Sequence, residues 1–222
     1  MLICWLKEPS NHSADQSTVQ STVLKQRSGY PVKHKISAAM TDIEIRPLGA
    51  SPKNGAMLSE IIIEVVANGG SVSFMHPLEP ERAAAFWAGS LAAADRGDRI
   101  VLGAWDGDLL VGSVTLLLDC PPNQPHRGEI AKMMTRLSHR GRGIATALMR
   151  VAEALAVERQ RTLLVLDTAV EEGASGLYEK LGFVLAGTIP DYALKPHGGL
   201  TGTMVYWKRI GSAAAAKVEN GA

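Results

Sequence analysis

The basic glycine turn Arg140-Gly141-Arg142-Gly143-Ile144-Ala145 constrains this chain more than any other stretch, because of what lies on either side of it. The run before it, Glu129-Ile130-Ala131-Lys132-Met133-Met134-Thr135, reads as a strand. After it, Ile144, Leu148, Val151 and Leu155 recur at steps of four, three and four, which is one face of a helix. A glycine turn that opens a helix presents unpaired backbone N–H groups and the positive end of the helix dipole. Such a turn seats a phosphate or pyrophosphate, and two arginines beside it add charge. Its glycines let the backbone approach the anion with no Cβ in the way. The dinucleotide pattern G-x-G-x-x-G and the P-loop pattern G-x-x-x-x-G-K-[ST] are both absent here.

The turn resembles the R-x-x-G-x-[GA] signature of the GCN5-related N-acetyltransferases, matched by Arg140, Gly143 and Ala145. Downstream, Leu177-Tyr178-Glu179-Lys180-Leu181-Gly182-Phe183 is similar to the family's L-Y-E-K-x-G-F element. The separation between the two motifs fits a helix, a buried strand (Leu163 to Thr168) and a short helix. With both motifs in order, the chain is identified as a member of that family by resemblance. The resemblance implies an α/β (α+β) acyl-CoA N-acyltransferase fold, a mixed, mostly antiparallel sheet of six to seven strands flanked by helices. The loop Gly70 to Met75 and the segment Glu129 to Met134 are also similar to the corresponding parts of the tabtoxin-resistance branch of the family.

Composition fits one such domain. The chain has 222 residues, 46% of them hydrophobic, enough for one sizeable core or at most two small ones. A net charge of +1 provides no field for a nucleic-acid partner. No apolar run approaches a membrane span, so no membrane partner is expected. Cys4 and Cys120 lie far apart and suggest free thiols in a reducing, cytoplasmic compartment. None of the six histidines has metal-ligand spacing, and no metal is expected. The start, Met1 to Leu6, lacks the marks of a secretory signal. Ser10 to Ser28 is polar and aperiodic. Residues 1–39 are therefore expected to be a disordered extension, or to precede a true start at Met40. Residues 41–210 form the N-acetyltransferase domain of the resemblance, and 211–222 a flexible tail.

Within the domain, periodicity predicts a strand at Ile43 to Arg46 and helices over Ala56 to Asn68 and from Pro80 to about Arg96. Arg99 to Trp105 and Leu109 to Leu118 form a hairpin joined at Asp106-Gly107. Leu163 to Thr168 reads as apolar on both faces, a strand covered on each side. A short helix around Ala174 to Leu181 and strands at Phe183 to Ile189 and Gly202 to Lys208 complete the order β-α-α-β-β-β-α-β-α-β-β.

The resemblance implies acetyl-coenzyme A as co-substrate, with its pyrophosphate on the N–H groups of Arg140, Gly141, Arg142, Gly143, Ile144 and Ala145. Met133, Met134 and Thr135 would hold the pantetheine arm through backbone hydrogen bonds, as a neighbouring strand would. It places Tyr178 as the general acid that protonates the departing thiolate, with simple packing on the cofactor as the alternative. The incoming amine must lose a proton before attack, and Glu129 and Asp167, at the start and end of strands, are candidate bases. A carboxylate at a buried strand end is costly unless it serves a ligand, a cation or a hydrogen-bond network. In the alternative, Glu129 pairs with Arg127 or Lys132 at the surface and Asp167 caps a turn. Cys120 has no evident activating partner, which favours direct attack over an acetyl-cysteine. His139 beside the turn is expected at the surface, while His76 and His197 lie in loops that could line the acceptor cleft. Two positions depart from the family pattern. Leu137 replaces a common proline, and Glu171 stands where an asparagine often contacts the cofactor, while Ala174 still fits.

The acceptor favoured on these grounds is the primary amine of a small molecule: an amino acid, an amine or a toxin-like compound. The alternatives are a protein N-terminal or lysine acetyltransferase, or a module that senses acetyl-coenzyme A without turning it over. A homodimer is left open.

Overall fold

A computed structural model describes residues 34–36, 43–170 and 175–211. The polar stretch 10–28, Cys4, Met40, Glu171, Ala174 and the tail after 211 lie outside the described residues. The strands are β1 (His34–Ile36), β2 (Ile43–Pro47), β3 (Arg99–Asp106), β4 (Leu109–Leu117), β5 (Arg127–Thr135), β6 (Leu163–Ala169), β7 (Val184–Leu194) and β8 (Leu200–Arg209). The helices are α1 (Pro52–Ala67), α2 (Pro80–Asp95), α3 (Ile144–Glu158) and α4 (Ser175–Lys180). From β2 onward the order is the expected one, in seven strands, with the short β1 added at the edge. The sheet runs β1-β2-β3-β4-β5-β6-β8-β7, and every neighbouring pair is antiparallel except β5 and β6.

Local chemistry sets the element ends. Ser51 caps α1, its Oγ accepting the Asn54 N–H at 3.1 Å, and Pro52 opens the helix. That start lies before the Ala56 expected from periodicity, because Pro52 to Gly55 carry no apolar residue. At its other end Gly69 takes φ 84°, and the Gly69 and Gly70 N–H groups bond the Val66 and Val65 carbonyls at 3.0 and 2.8 Å. A Cβ on Gly70 would come within 2.4 Å of a Val65 methyl, so only glycine fits this exit. The β3–β4 hairpin turns at Gly107, φ 58°, with Asp106 opposite Leu109.

Helices cover both faces of the sheet. On one side α1 and α2 bury Leu58, Ile61, Ile62, Trp87 and Leu91 against Val101, Trp105 and Leu110. On the other, α3 buries Ile144, Leu148, Met149 and Ala152 against Ile45, Leu102, Val114 and Leu116. The strand β6 differs from expectation. Leu164, Leu166 and Thr168 are buried, whereas Leu163, Val165, Asp167 and Ala169 are only partly so. One face of β6 packs on α3 and the other borders a cleft. The strand β7 is longer than the sequence pattern suggested and is exposed along nearly its whole length.

One side chain ties the two layers together where β5 ends. Arg136 donates to Glu60 at 2.8 Å, to Glu64 at 2.9 Å and to the Leu110 carbonyl at 2.9 Å, and the Leu137 N–H bonds Glu64 at 2.8 Å. Glu60 and Glu64 are one helical turn apart and so present both carboxylates to a single guanidinium. The Arg136 side chain is only 15% exposed, so its removal leaves the Leu110 carbonyl and one Glu64 oxygen without their donor. We expect Arg136→Ala to lower unfolding stability by about 2 kcal/mol in urea at an unchanged slope.

Candidate active site

The site begins where a strand pairing stops. Parallel pairing of β5 with β6 runs through Arg127–Leu163, Gly128–Leu164 and Glu129–Val165, and the register ends there. Between the parted strands lies a cavity of about 1330 Å³. It reaches from the loop after α1, along β5, to the glycine turn before α3, with β6, Tyr178, β7 and β8 on the remaining sides. That is more than a drug-sized ligand needs, and suits a long cofactor together with an acceptor.

A bulge then re-aims β5. Ser113 pairs with Met134 and Thr115 with Ala131, so β5 carries one residue more than β4 in this interval. Lys132 absorbs it at φ 51°. In an unbroken strand Ile130, Lys132 and Met134 would share a face. Instead Ile130 packs in the α3-side core and Met134 in the α1–α2 core. The bulge thus turns Lys132 toward the loop after α1, where its Nζ donates to Ser73 Oγ at 3.0 Å. Ser73 itself has φ 72°, so two non-glycine residues in left-handed conformations meet in one hydrogen bond. Each such residue costs on the order of 1 kcal/mol, which the surrounding packing must hold in place.

At the other end of the cleft the Arg140 N–H bonds Leu137 O at 3.3 Å, and the next backbone bond of the turn is Ala147 N–H to Gly143 O at 3.0 Å. Among the described residues the N–H groups from 141 to 146 have no backbone acceptor. Gly141 and Gly143 take φ 75° and 77°, and a Cβ on either would meet no protein atom within 4 Å. This open cradle of amides fits the pyrophosphate of coenzyme A, and the β5 edge beyond Glu129 leads away from it. Arg140 borders the cleft. The Arg142 side chain turns aside to Asp106 at 3.2 Å, fastening the turn to the β3–β4 hairpin. His139, expected at the surface, is only 13% exposed, lies 3.5 Å from the same Asp106, and borders the cleft.

The remaining candidates collect around the parted strands. Glu129, Asp167, Tyr178, Met133, Met134, Thr135, Gly141, Gly143, Ile144 and Ala145 all border the one cavity. Glu129 pairs with Arg127 at 3.0 Å, in the interior rather than at the surface. Burial pushes its carboxyl above the usual range, and the Arg127 charge opposes that shift. Asp167 accepts from Thr203 Oγ1 at 3.2 Å across the β6–β8 ladder. Tyr178 is 5% exposed and lies edge-on to Phe183, centroids 6.1 Å apart. The end of α4 is tied down by Lys208, whose Nζ donates to Glu153 of α3 at 2.6 Å and to Leu181 O at 2.7 Å. Cys120 does not border the cavity, and burial raises its thiol pKa. His76 and His197 meet in a tilted ring contact, centroids 4.5 Å apart, outside the cavity.

Two residues of the site were not singled out by sequence. Lys132 is the one cation in an otherwise apolar central stretch of β5, which was the available signal. Burial lowers its ammonium pKa to about 8, with Asp167 and Glu129 acting in the opposite sense. Arg136 left no such signal, because its partners lie 72 and 76 positions away.

A family model described as "Acetyltransferase (GNAT) family" matches residues 68–183. Among solved structures, the chain is similar to an N-acetyltransferase from Staphylococcus aureus Mu50, with 20% identity, a TM-score of 0.65, and 76% of this chain and 99% of that one covered. A ribosomal-protein-alanine N-acetyltransferase from Brucella melitensis matches at 22% identity and a TM-score of 0.64, over 75% of this chain and 99% of that one. The protein yncA from Salmonella typhimurium, solved with its cofactor acetyl-CoA, matches at 16% identity and a TM-score of 0.62, over 75% of this chain and 94% of that one. At these identities the likeness is one of fold.

Two measurements probe this geometry. In Gly143→Asp a carboxylate would occupy the cradle, so coenzyme A affinity measured by calorimetry should fall by more than about tenfold. The thermal midpoint should fall by only about a few degrees: the new Cβ meets no protein atom, and the cost is that of an aspartate held at φ 77°, on the order of 1 kcal/mol. The lowered pKa of Lys132 means that the native state binds fewer protons than the unfolded chain between about pH 8 and 10.5. Native stability relative to Lys132→Met should therefore rise over that window, as read by urea unfolding at pH 7 and pH 10.

Proposed function

The chain belongs to the acetyltransferase (GNAT) family and is an N-acetyltransferase, and from that premise we propose that it moves the acetyl group of acetyl-coenzyme A onto the primary amine of a small molecule by direct attack. The observation that carries this reading is the single cleft. Its open amide turn stands at one end, and two carboxylates and a phenol border the gap between β5 and β6.

The thioester supplies an acyl group activated for attack by nitrogen. The backbone of the turn from Arg140 to Ala145, with the Arg140 side chain beside it, holds the pyrophosphate, and the edge of β5 at Met133, Met134 and Thr135 aligns the arm. Asp167 and Glu129 bind the ammonium form of the acceptor and take its proton toward water. Burial raises the Glu129 carboxyl pKa, which favours its taking up a proton. Tyr178, held by the packing of α4, returns a proton to the departing sulfur. Arg127 orients the Glu129 carboxyl group through a hydrogen bond at 3.0 Å. The raised thiol pKa of Cys120 supports a single transfer with no acetyl-cysteine.

Small acceptors are favoured by the near-neutral charge of the chain and its lack of a long acidic stretch, which do not suggest a docking surface for basic tails. The likeness of the loop Gly70 to Met75 to the tabtoxin-resistance branch adds toxin-like amines to that class. The Brucella neighbour, which is named for ribosomal-protein alanine, supports a second reading as a protein N-terminal acetyltransferase. The exposed apolar residues Val184, Leu185, Ile189 and Leu194 on β7 support a homodimer as part of the proposal. Among the described residues no helix is long and apolar enough to cross a membrane, which accords with the proposed cytoplasmic location.

Thiol release measured over a panel of small amines and N-terminal peptides tests the assignment, and turnover confined to peptides would select the second reading. Tyr178→Phe should retain coenzyme A affinity while its rate falls by about ten- to a thousandfold. Cys120→Ala should turn over nearly as the native protein does. A native protein that binds acetyl-coenzyme A yet releases no thiol with any acceptor would be a sensor.

A further inference from the structure

The acceptor end of the cleft carries charge of both signs. Glu129 and Asp167 border the gap between β5 and β6. The loop after α1 and the start of α2 bring Arg82 beside the Phe74 ring at 5.8 Å, and the β5 bulge brings Lys132 to within 6.0 Å of Phe74 and 5.7 Å of Phe86. Arg99 also borders this end, but Asp119 faces it at 3.5 Å. Lys132 differs. Among the described residues it has no carboxylate within 4 Å, and its only hydrogen bond is to the neutral Ser73 hydroxyl. A largely buried ammonium with one neutral acceptor retains two N–H donors that can still receive an anionic oxygen.

We propose that the acceptor is an amino acid, whose carboxylate is received by Lys132 beside Ser73 while its ammonium group is received by Glu129 and Asp167. The proposal rests on the acetyl-transfer reading above and narrows it. An amine without an anionic group would meet Lys132 and Arg82 as repulsive neighbours, whereas a zwitterion matches both ends. The aromatic pair Phe74 and Phe86, edge to face at 5.2 Å, gives the carbon skeleton between those ends an apolar wall. The two left-handed residues, Ser73 and Lys132, are explained in the same way, because together they fix an ammonium group inside the cleft rather than letting it extend to solvent. If Lys132 were only a tie between the loop and the bulge, its loss would weaken all acceptors equally.

Matched pairs separate these roles: phenylalanine with phenethylamine, leucine with isopentylamine, and tyrosine with tyramine. With thiol release as the readout, kcat/KM for the acids should exceed that for the amines by at least about tenfold, and Lys132→Met should remove most of that ratio through KM. A native ratio near one, or the same ratio in Lys132→Met, would overturn the proposal. Calorimetry supplies a readout that does not depend on turnover. The protein saturated with coenzyme A should bind N-acetylphenylalanine at least about tenfold more tightly than its amide, and Lys132→Met should abolish the difference. Equal binding of acid and amide would again overturn it. Preferential binding of the acid with no turnover of any acceptor would sink the transfer reading while leaving the carboxylate site in place.

Discussion

The early end of parallel pairing between β5 and β6 is the constraint on which the site depends. Two parallel strands normally exchange hydrogen bonds along their shared length, and a gap between them exposes backbone groups that need other partners. Here the gap opens after Glu129 and Val165, in the middle of a sheet covered by helices on both faces. Such a gap is sustained only if something strand-like can enter it. The same opening places Glu129 and Asp167, from separate strands, at the border of one cavity. It also leaves α3 with its N-terminus facing that cavity, so amide cradle and carboxylates share one space without any long loop between them.

What was legible in the sequence was mostly what is local. The glycine turn, the helix that follows it and the Leu177 to Phe183 element are each encoded within a few residues, and the structure has them where their spacing implies. The order of elements follows from periodicity in the same way. What could not be read locally depends on register. An alternating reading of β5 places Lys132 with Ile130 on the α3 face, and the bulge reverses that. No residue type announces the bulge, because the extra residue is a lysine with positive φ rather than a glycine. The strand β6 was read as covered on both faces because its residues are apolar, yet its outer face meets the cleft. Arg136 joins residues more than seventy positions apart, which only tertiary structure brings together.

Charge in the cleft is organised by partners rather than by residue count. Arg127 and Glu129 neutralise each other internally, Arg142 is engaged by Asp106, and Arg136 is held by Glu60 and Glu64. Arg136 and Arg142 each fasten one element to another, whereas the Arg127–Glu129 pair lies within β5. Their pairing keeps the overall field of the molecule weak while leaving the cleft locally polarised, which suits a small charged ligand better than an extended one.

The tie made by Lys208 gives the phenol of Tyr178 an unusual dependence. A helix of six residues has no stability of its own, because one or two turns do not repay the cost of nucleation. The order of α4 is therefore borrowed from α3 through Glu153 and from β8 through Lys208 itself. The place of the tyrosine ring is thus a property of the assembled fold, not of the motif that contains it. A graft of the seven-residue motif onto another scaffold would carry the tyrosine but not its position.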